Sequence, residues 1–482
     1  MKPYKYTLFR LHHPRFFIFL ITSLFLFGVP SYCAFALTVA NTNDSGPGSL
    51  RDAVANTDPG GTVDFDPSLA NETITLTTGE IIIDKDLTIT GLGPNSITIS
   101  GGNNSRIFNI QNANVGISDL KIADGLESCD LPDCLAFGGA ILVDGTSTLE
   151  ITGCVFANNT ASCGATNCSV FGGVIQSSGS FKTNESTFSG NMASCEGQDC
   201  AGFGGAIQSS GSFEISKSTF SDNMASCEGQ DCAVFGGAIQ HPSSSNEITN
   251  STICGNEAFC IGEGCVSFGA AIQAPGSVEI NNSTISDNSV SCLGLDCFLF
   301  GGTLQSPGEA ITLINTIVSN NLVALPVDNC GGNIIDGGNN LQFPGDSCGI
   351  TIATQDPMLG PLADNGGTTM TKELLTGSPA IDAGMNFTCE ATDQRGVMRP
   401  VDGDGDDIAV CDIGAFEVEE VNGDGFAPGD ANGDGEINIL DVTALLNDIL
   451  EISPVAGNAD CNEDGEVNIL DVTCVLNEIL GG

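Results

Sequence analysis

Residues 203–232, FGGAIQSSGSFEISKSTFSDNMASCEGQDC, nearly reproduce residues 171–200, FGGVIQSSGSFKTNESTFSGNMASCEGQDC. Related copies extend from about Phe137 to Asn321. Their leading phenylalanines, Phe137, Phe171, Phe203, Phe235, Phe268 and Phe300, follow one another at 34, 32, 32, 33 and 32 residues. Asparagines keep the same beat at Asn159, Asn191, Asn223, Asn256, Asn288 and Asn320. Six C-x4-C pairs do so as well, beginning at Cys129, Cys163, Cys195, Cys227, Cys260 and Cys292. A unit this short, with two or three strand-like runs and no helical period, cannot bury an apolar side alone, whereas stacked copies share a continuous core. The expected fold is an all-β right-handed parallel β-helix, one repeat per coil and coils roughly 4.8 Å apart, so that each motif position becomes a column along the axis.

Each column then has an assigned task. The leading Phe column is expected to stack inward. The glycine pairs behind it (Gly204-Gly205, Gly236-Gly237) allow a tight bend. The Asn column is expected in turns, its amides bonding from coil to coil as a ladder. The C-x4-C loops admit three readings: bridges within a loop, bridges between coils, or stacked thiolates holding a metal. Cys330 with Cys348 and Cys389 with Cys411 read as local bridges, Cys461 and Cys474 as a brace in the C-terminal module, and Cys154 and Cys254 as buried thiols or exchange partners of the cysteine columns.

Ahead of the repeats, short alternating runs such as ETITLTTG and NSITISGG continue the strand pattern towards the N-terminus. A small helix at Ser49 to Ala55 is placed to cover the open end of the stack. Residues 1–36 read as a secretory signal peptide. Lys2, Lys5, Arg10 and Arg15 precede an apolar run from Phe16 to Val29, shorter than the roughly 20 residues of a membrane span, and Ala34-Phe35-Ala36 offers a cleavage site. The expected location is secreted, extracellular or cell-surface. Beyond that segment nine basic residues face 60 acidic ones. Such a surface is a poor partner for nucleic acid.

The Gly-Gly-Ala-Ile of Gly138 to Ile141, Gly204 to Ile207 and Gly236 to Ile239, with F-x-x-N at Phe156 to Asn159, Phe188 to Asn191 and Phe220 to Asn223, resembles the paired motifs of chlamydial polymorphic outer-membrane proteins. That resemblance implies a β-helical surface adhesin, although the membrane barrel of those proteins has no counterpart here. Asp356 to Gly384, Ala391 to Pro400 and CDIGAFE (Cys411 to Glu417) resemble the C-terminal segment of secreted β-helix proteins grouped as choice-of-anchor. Residues 351–417 are accordingly expected to cap a helix spanning 37–350, with 418–429 as a linker.

The sharpest motif lies in 430–482. DANGDGEINILD (Asp430 to Asp441) and DCNEDGEVNILD (Asp460 to Asp471) are twelve-residue loops with oxygen-bearing side chains at positions 1, 3 and 5, Gly at 6 and a carboxylate at 12, the ligand spacing of a calcium loop. The expected Ca2+ ligands are Asp430, Asn432, Asp434, the Glu436 carbonyl and Asp441, then Asp460, Asn462, Asp464, the Glu466 carbonyl and Asp471. Each loop enters an amphipathic helix, with Leu440, Leu445, Ile449 and Leu470, Val475, Ile479 expected on its inner side. Aspartate at position 12 and the duplicated loops without an entering helix resemble a type I dockerin, an all-α module. The resemblance implies a cohesin partner contacted through Ile439, Leu440, Ile469 and Leu470.

No catalytic set stands out along the repeats. Between Cys129 and Cys348 the only Lys or Arg residues are Lys182 and Lys217, at non-equivalent positions. Asp199, Asp231 and Asp296 recur with the repeat, and His241 reads as a surface turn residue. DGDGDD (Asp402 to Asp407) reads as a solvated turn, with calcium as the lesser reading. The expected function is a non-catalytic, adhesin-like surface protein that docks through its C-terminal module and presents its coils to a polysaccharide or cell-surface ligand. The competing expectation is a polysaccharide lyase or glycoside hydrolase carried by the same module.

Overall fold

A computed structural model describes residues 36–482, except 244–245, 324–328, 407, 420–428, 434, 436, 451, 453, 456, 463–466 and 480–482. The expected signal peptide and most of the expected linker lie outside the described residues.

The chain is a parallel β-solenoid. In the coil around residue 210, strands Ala201–Phe203, Ile207–Ser209, Phe213–Ser216, Thr219–Ser221 and Met224–Glu228 follow one another, each pairing in register with its counterpart one repeat away. The columns assemble into 18-, 11-, 7- and 6-stranded sheets. The first two form the body of the solenoid from residue 37 onward. The last two begin at Leu126–Cys129 and form an arm that projects from the body in the repeat region.

Body and arm have separate cores. Inside the body, Phe156, Phe188 and Phe220 stack with centroids 4.7 and 4.6 Å apart, fully buried, and Ile253, Ile285 and Val318 continue the column. Burial of each ring contributes about 2–3 kcal/mol. Inside the arm the lining is Ala161, Ala193, Ala225, Ala258 and the loop cysteines.

The leading phenylalanines are not inside. In three-residue strands such as Ala201–Phe203 the central residue faces the arm core, so the flanking Phe203 points outward. Phe137 to Phe300 therefore form an outer, half-buried stack with centroids 4.8–5.2 Å apart. The Asn ladder runs as expected, except that its sixth rung is Asn321, which accepts from the Asn288 amide, and not Asn320; Asn321 Nδ2 in turn donates to Asn329 Oδ1 at 3.0 Å.

The Gly-Gly bend has a strict steric basis. Gly204 sits at φ +66, and a Cβ on Gly205 would lie 2.0 Å from the Gly237 carbonyl oxygen of the next coil. The residue before the second cysteine of each loop is also left-handed: Asp133, Asn167, Asp199, Asp231, Gly264 and Asp296 have φ between +52 and +73. Asp, Asn and Gly are the residues that tolerate this region, so the recurring aspartate is a turn requirement.

Cys129–Cys134, Cys163–Cys168, Cys260–Cys265 and Cys292–Cys297 are bridged within their loops, as are the pairs Cys330–Cys348, Cys389–Cys411 and Cys461–Cys474. Cys154 and Cys254 are buried thiols, each pushed up to about 12 by burial.

Helix α1, Leu50–Asn56, starts from the Ser49 cap, whose hydroxyl accepts from the Asp52 amide. It packs Leu50, Ala53 and Val54 into the core at the N-terminal end. Of residues 351–417, expected as a terminal cap, Ala353–Thr354 adds a strand to the 11-stranded sheet and residues 356–417 run back along the flank of the coils. Thr219 donates to the Met370 carbonyl, Asn250 to the Thr392 carbonyl and Asn281 to the Thr388 carbonyl. Gln394 is buried among Thr219, Thr252 and Thr369. Beneath it lies an ionic network in which Arg399 meets Glu417 at 3.1 Å and Arg395 meets Asp393 at 2.9 Å while lying over the Phe416 ring.

Candidate calcium module and solenoid groove

Helices α2 (Ile439–Ile449) and α3 (Ile469–Ile479) each follow one of the twelve-residue loops. Asn438 caps α2 by accepting from the Leu440 amide at 2.9 Å, and Asp441 closes the capping box by accepting from the Asn438 amide at 2.8 Å. The other Asp441 oxygen accepts from the Asn432 amide at 3.0 Å, tying the helix start to the head of the loop. Asp471 repeats the arrangement with Asn468 (2.8 Å) and Asn462 (3.2 Å). Asp430 accepts from the amides of Gly433 (2.8 Å) and Gly435 (2.9 Å).

Asp430, Asp441 and Asp471 are buried, at 1, 0 and 0 % exposure. A buried carboxylate needs a compensating positive charge. The sequence beyond Arg399 contains no Lys, Arg or His, so nothing in the module's own chain supplies one. A hard divalent cation fits this all-oxygen donor set. Of the expected ligands, Asp434, Glu436, Asp464 and Glu466 lie outside the described residues.

The helices meet through Val442, Leu445, Val472 and Val475. Leu440 and Leu470, expected on that inner side, instead face outward with Ile439 and Ile469. All four are 57–60 % exposed. With 3.6 residues per turn, Leu440 and Leu470 fall on the side of their helices opposite Val442–Leu445 and Val472–Val475, so each helix start presents a paired apolar patch.

On the solenoid, two adjoining cavities of about 400 and 430 Å³ share Ser180, Phe181 and Lys182 and form a groove along one face of the large sheet. Its floor carries Glu150, Lys182, Glu214, Glu247 and Glu279 in one column. Lys182 is held by Glu214 at 2.6 Å, and this pairing raises its pKa. Partial burial, then the Glu279, Glu390 and Glu214 carboxylates, raise that of Glu247. Lys217 lies apart in a left-handed turn, where its carbonyl accepts from Thr369.

His241 is a core residue and not a surface one. Its Nδ1–H donates to the Ser209 carbonyl at 2.9 Å, its other nitrogen meets the Asn246 amide, and its ring packs edge-on against Phe213. Burial pushes it down to about 4, so it is neutral at physiological pH. The Asp402 and Asp404 carboxylates accept from the turn amides of Gly405 (2.8 Å) and Asp406 (3.1 Å).

The dockerin type I domain signature matches residues 428–480. No curated protein matches the chain. Among solved structures, pectate lyase Pel9A is similar at 15 % identity and a TM-score of 0.36, over 80 % of this chain and 96 % of that one. A PL6 family alginate lyase is similar at 11 % and 0.27, over 75 and 57 %. A mannuronic acid specific family 6 lyase from human gut microbiota is similar at 10 % and 0.23, over 64 and 86 %. The chain is thus a parallel β-solenoid followed by a dockerin type I domain.

Proposed function

We propose that this is an extracellular, non-catalytic, adhesin-like protein, attached through its calcium-loaded dockerin domain to a cohesin-type partner while the solenoid faces a polysaccharide or cell-surface ligand. The observation that carries the docking reading is the matched exposure of Ile439-Leu440 and Ile469-Leu470 at equivalent points of two helices. Calcium in the first loop is held by Asp430, Asn432, Asp434, the Glu436 carbonyl and Asp441. In the second it is held by Asp460, Asn462, Asp464, the Glu466 carbonyl and Asp471. Each ion adds positive charge beside the buried aspartates and fixes the start of its helix. The non-catalytic reading is supported by Lys182, the basic side chain of the groove, being engaged by Glu214, since β-elimination needs a free base. Export is supported by the seven disulfides. Among the described residues, no helix is long and apolar enough to cross a membrane.

A second reading, a polysaccharide lyase or glycoside hydrolase, is favoured by Glu247, a groove carboxylate whose raised pKa suits a general acid. One assay tests the docking that both readings share, and a second separates them. Capture of a cohesin module that needs calcium supports docking, and its failure in calcium overturns it. Release of reducing ends or unsaturated products from a polysaccharide panel, lost in Glu247→Gln, overturns the non-catalytic reading.

A further inference from the structure

Four thiols lie side by side in the arm: Cys195 and Cys200 of one coil, Cys227 and Cys232 of the next, all buried. Cys195 Sγ is 2.8 Å from Cys227 Sγ. Cys200 Sγ is 3.2 Å from Cys227 Sγ and 3.6 Å from Cys232 Sγ. The two shorter separations are nearer than separate thiols pack, which leaves covalent bonding or a shared thiophilic metal. A divalent ion on four thiolates would carry two net negative charges. The surrounding core is Ala, Val and Cys, and the two Lys residues of the repeats stand elsewhere, Lys182 against Glu214 in the groove and Lys217 in a turn beside Thr369, so neither balances them. Two disulfides are neutral and suit that core.

We propose that Cys195–Cys200 and Cys227–Cys232 are disulfides, each within its own loop, so that all six loops of the arm are closed. The backbone favours this pairing over bonds between coils. Cys163, Cys195, Cys227 and Cys260 are in-register partners along one parallel ladder, so the two central loops repeat the path of their neighbours. Those neighbours are bridged over the same five-residue separation, with Cα–Cα distances of 6.0–6.5 Å. In-register side chains of a parallel ladder run side by side, with Cβ atoms roughly 4.8 Å apart, beyond the about 3.5–4.5 Å that a disulfide spans. Bonding Cys195 to Cys227 would therefore pinch two coils together, whereas bonding within the loop moves neither.

Each bridge forms by exchange with a disulfide oxidant. One cysteine thiolate attacks the oxidant's S–S bond, expelling one thiolate and leaving a mixed disulfide. The second cysteine, losing its proton, then displaces the other thiolate, so the oxidant ends as two thiols. The sulfurs are inaccessible once the arm is packed, which places the reaction while the coils assemble.

Trypsin makes the pairing readable, because Lys182 and Lys217 bracket one loop and the next basic residue is Lys372. The exported full-length chain is denatured without reductant, alkylated and digested. The expected result is a free peptide 183–217, two hydrogens lighter than its reduced form and unlabelled. Within 218–372 the expected label is at Cys254 alone. Label on Cys195, Cys200, Cys227 or Cys232 overturns the proposal, and stoichiometric zinc in the native protein would then identify a tetrathiolate. A peptide 183–217 that stays covalently attached to 218–372 overturns the in-loop pairing.

Discussion

Asn191 Oδ1 accepts two hydrogen bonds from Asn159 of the preceding coil, one from the backbone amide at 2.9 Å and one from Nδ2 at 3.0 Å. The same pair of bonds passes from Asn191 to Asn223, Asn256, Asn288 and Asn321. Each amide also donates to the backbone, as Asn223 Nδ2 does to the Phe188 carbonyl at 2.9 Å. Replacing one asparagine therefore strands a buried amide on the preceding coil. Asn223→Ala is expected to cost about 2–3 kcal/mol, read from the denaturant midpoint, and an unchanged midpoint would contradict the ladder's role.

The two phenylalanine columns differ in burial and should differ in cost. Phe220→Ala empties a fully buried site and is expected to lose about 3–5 kcal/mol. Phe203→Ala trims the outer stack and is expected to lose about 1 kcal/mol. Equal losses in parallel unfolding curves would argue against the outward placement of Phe203.

Chelation of calcium is expected to reduce the helical circular dichroism from α2 and α3 while leaving the β signal of the solenoid intact. Asp430→Ala combined with Asp460→Ala should remove the calcium response. A helical signal indifferent to calcium in the native chain would rule out the ligand sets given above.

Docking should show redundancy, since the two apolar pairs are equally exposed. Ile439→Ser with Leu440→Ser is expected to leave cohesin capture largely intact through the second pair. Changing Ile469 and Leu470 as well should abolish it, with the helical signal unchanged. Loss of binding from the first pair alone would show that the two faces are not equivalent.

The flank network predicts a pH dependence. Burial pushes Asp412 up to about 8, with the neighbouring Glu417 adding to the rise. The folded state thus holds a proton that the unfolded chain releases near pH 4. This contribution to stability is full below about pH 4 and fades as pH climbs towards 8. Thermal unfolding of the native chain should fall across that window, and Asp412→Asn should flatten the slope. A native profile with no decline between those limits would contradict it.

Much of the architecture was legible because stacking in register turns repetition into geometry. The glycine bend and asparagine ladder needed only their spacing. Phe203 misled because a strand of three residues has too few alternations to reveal which face is buried. Asn320 and Asn321 both fit the beat of the column, and the contact from the Asn288 amide identifies Asn321 as the rung. His241 followed a repeat motif and preceded Pro242, which suggested a turn, yet the corner behind Phe213 is deep enough to bury it. Leu440 and Leu470, apolar and in the first turn of each helix, suggested the core, and only comparing their position around the helix with Val442 and Leu445, or with Val472 and Val475, reveals their exposure.

In-register pairing has one more consequence, for how such a chain can change length. Inserting or deleting one residue inside a strand would shift that strand out of register with its neighbours, whereas the turns absorb such changes, as the 34-, 32- and 33-residue spacings show. Duplicating or removing a whole repeat would leave every column aligned and alter only the reach of the molecule, by roughly 4.8 Å per coil. The near identity of residues 171–200 and 203–232 suits a protein whose span is set by counting units, with each added coil ready to be built on by the next.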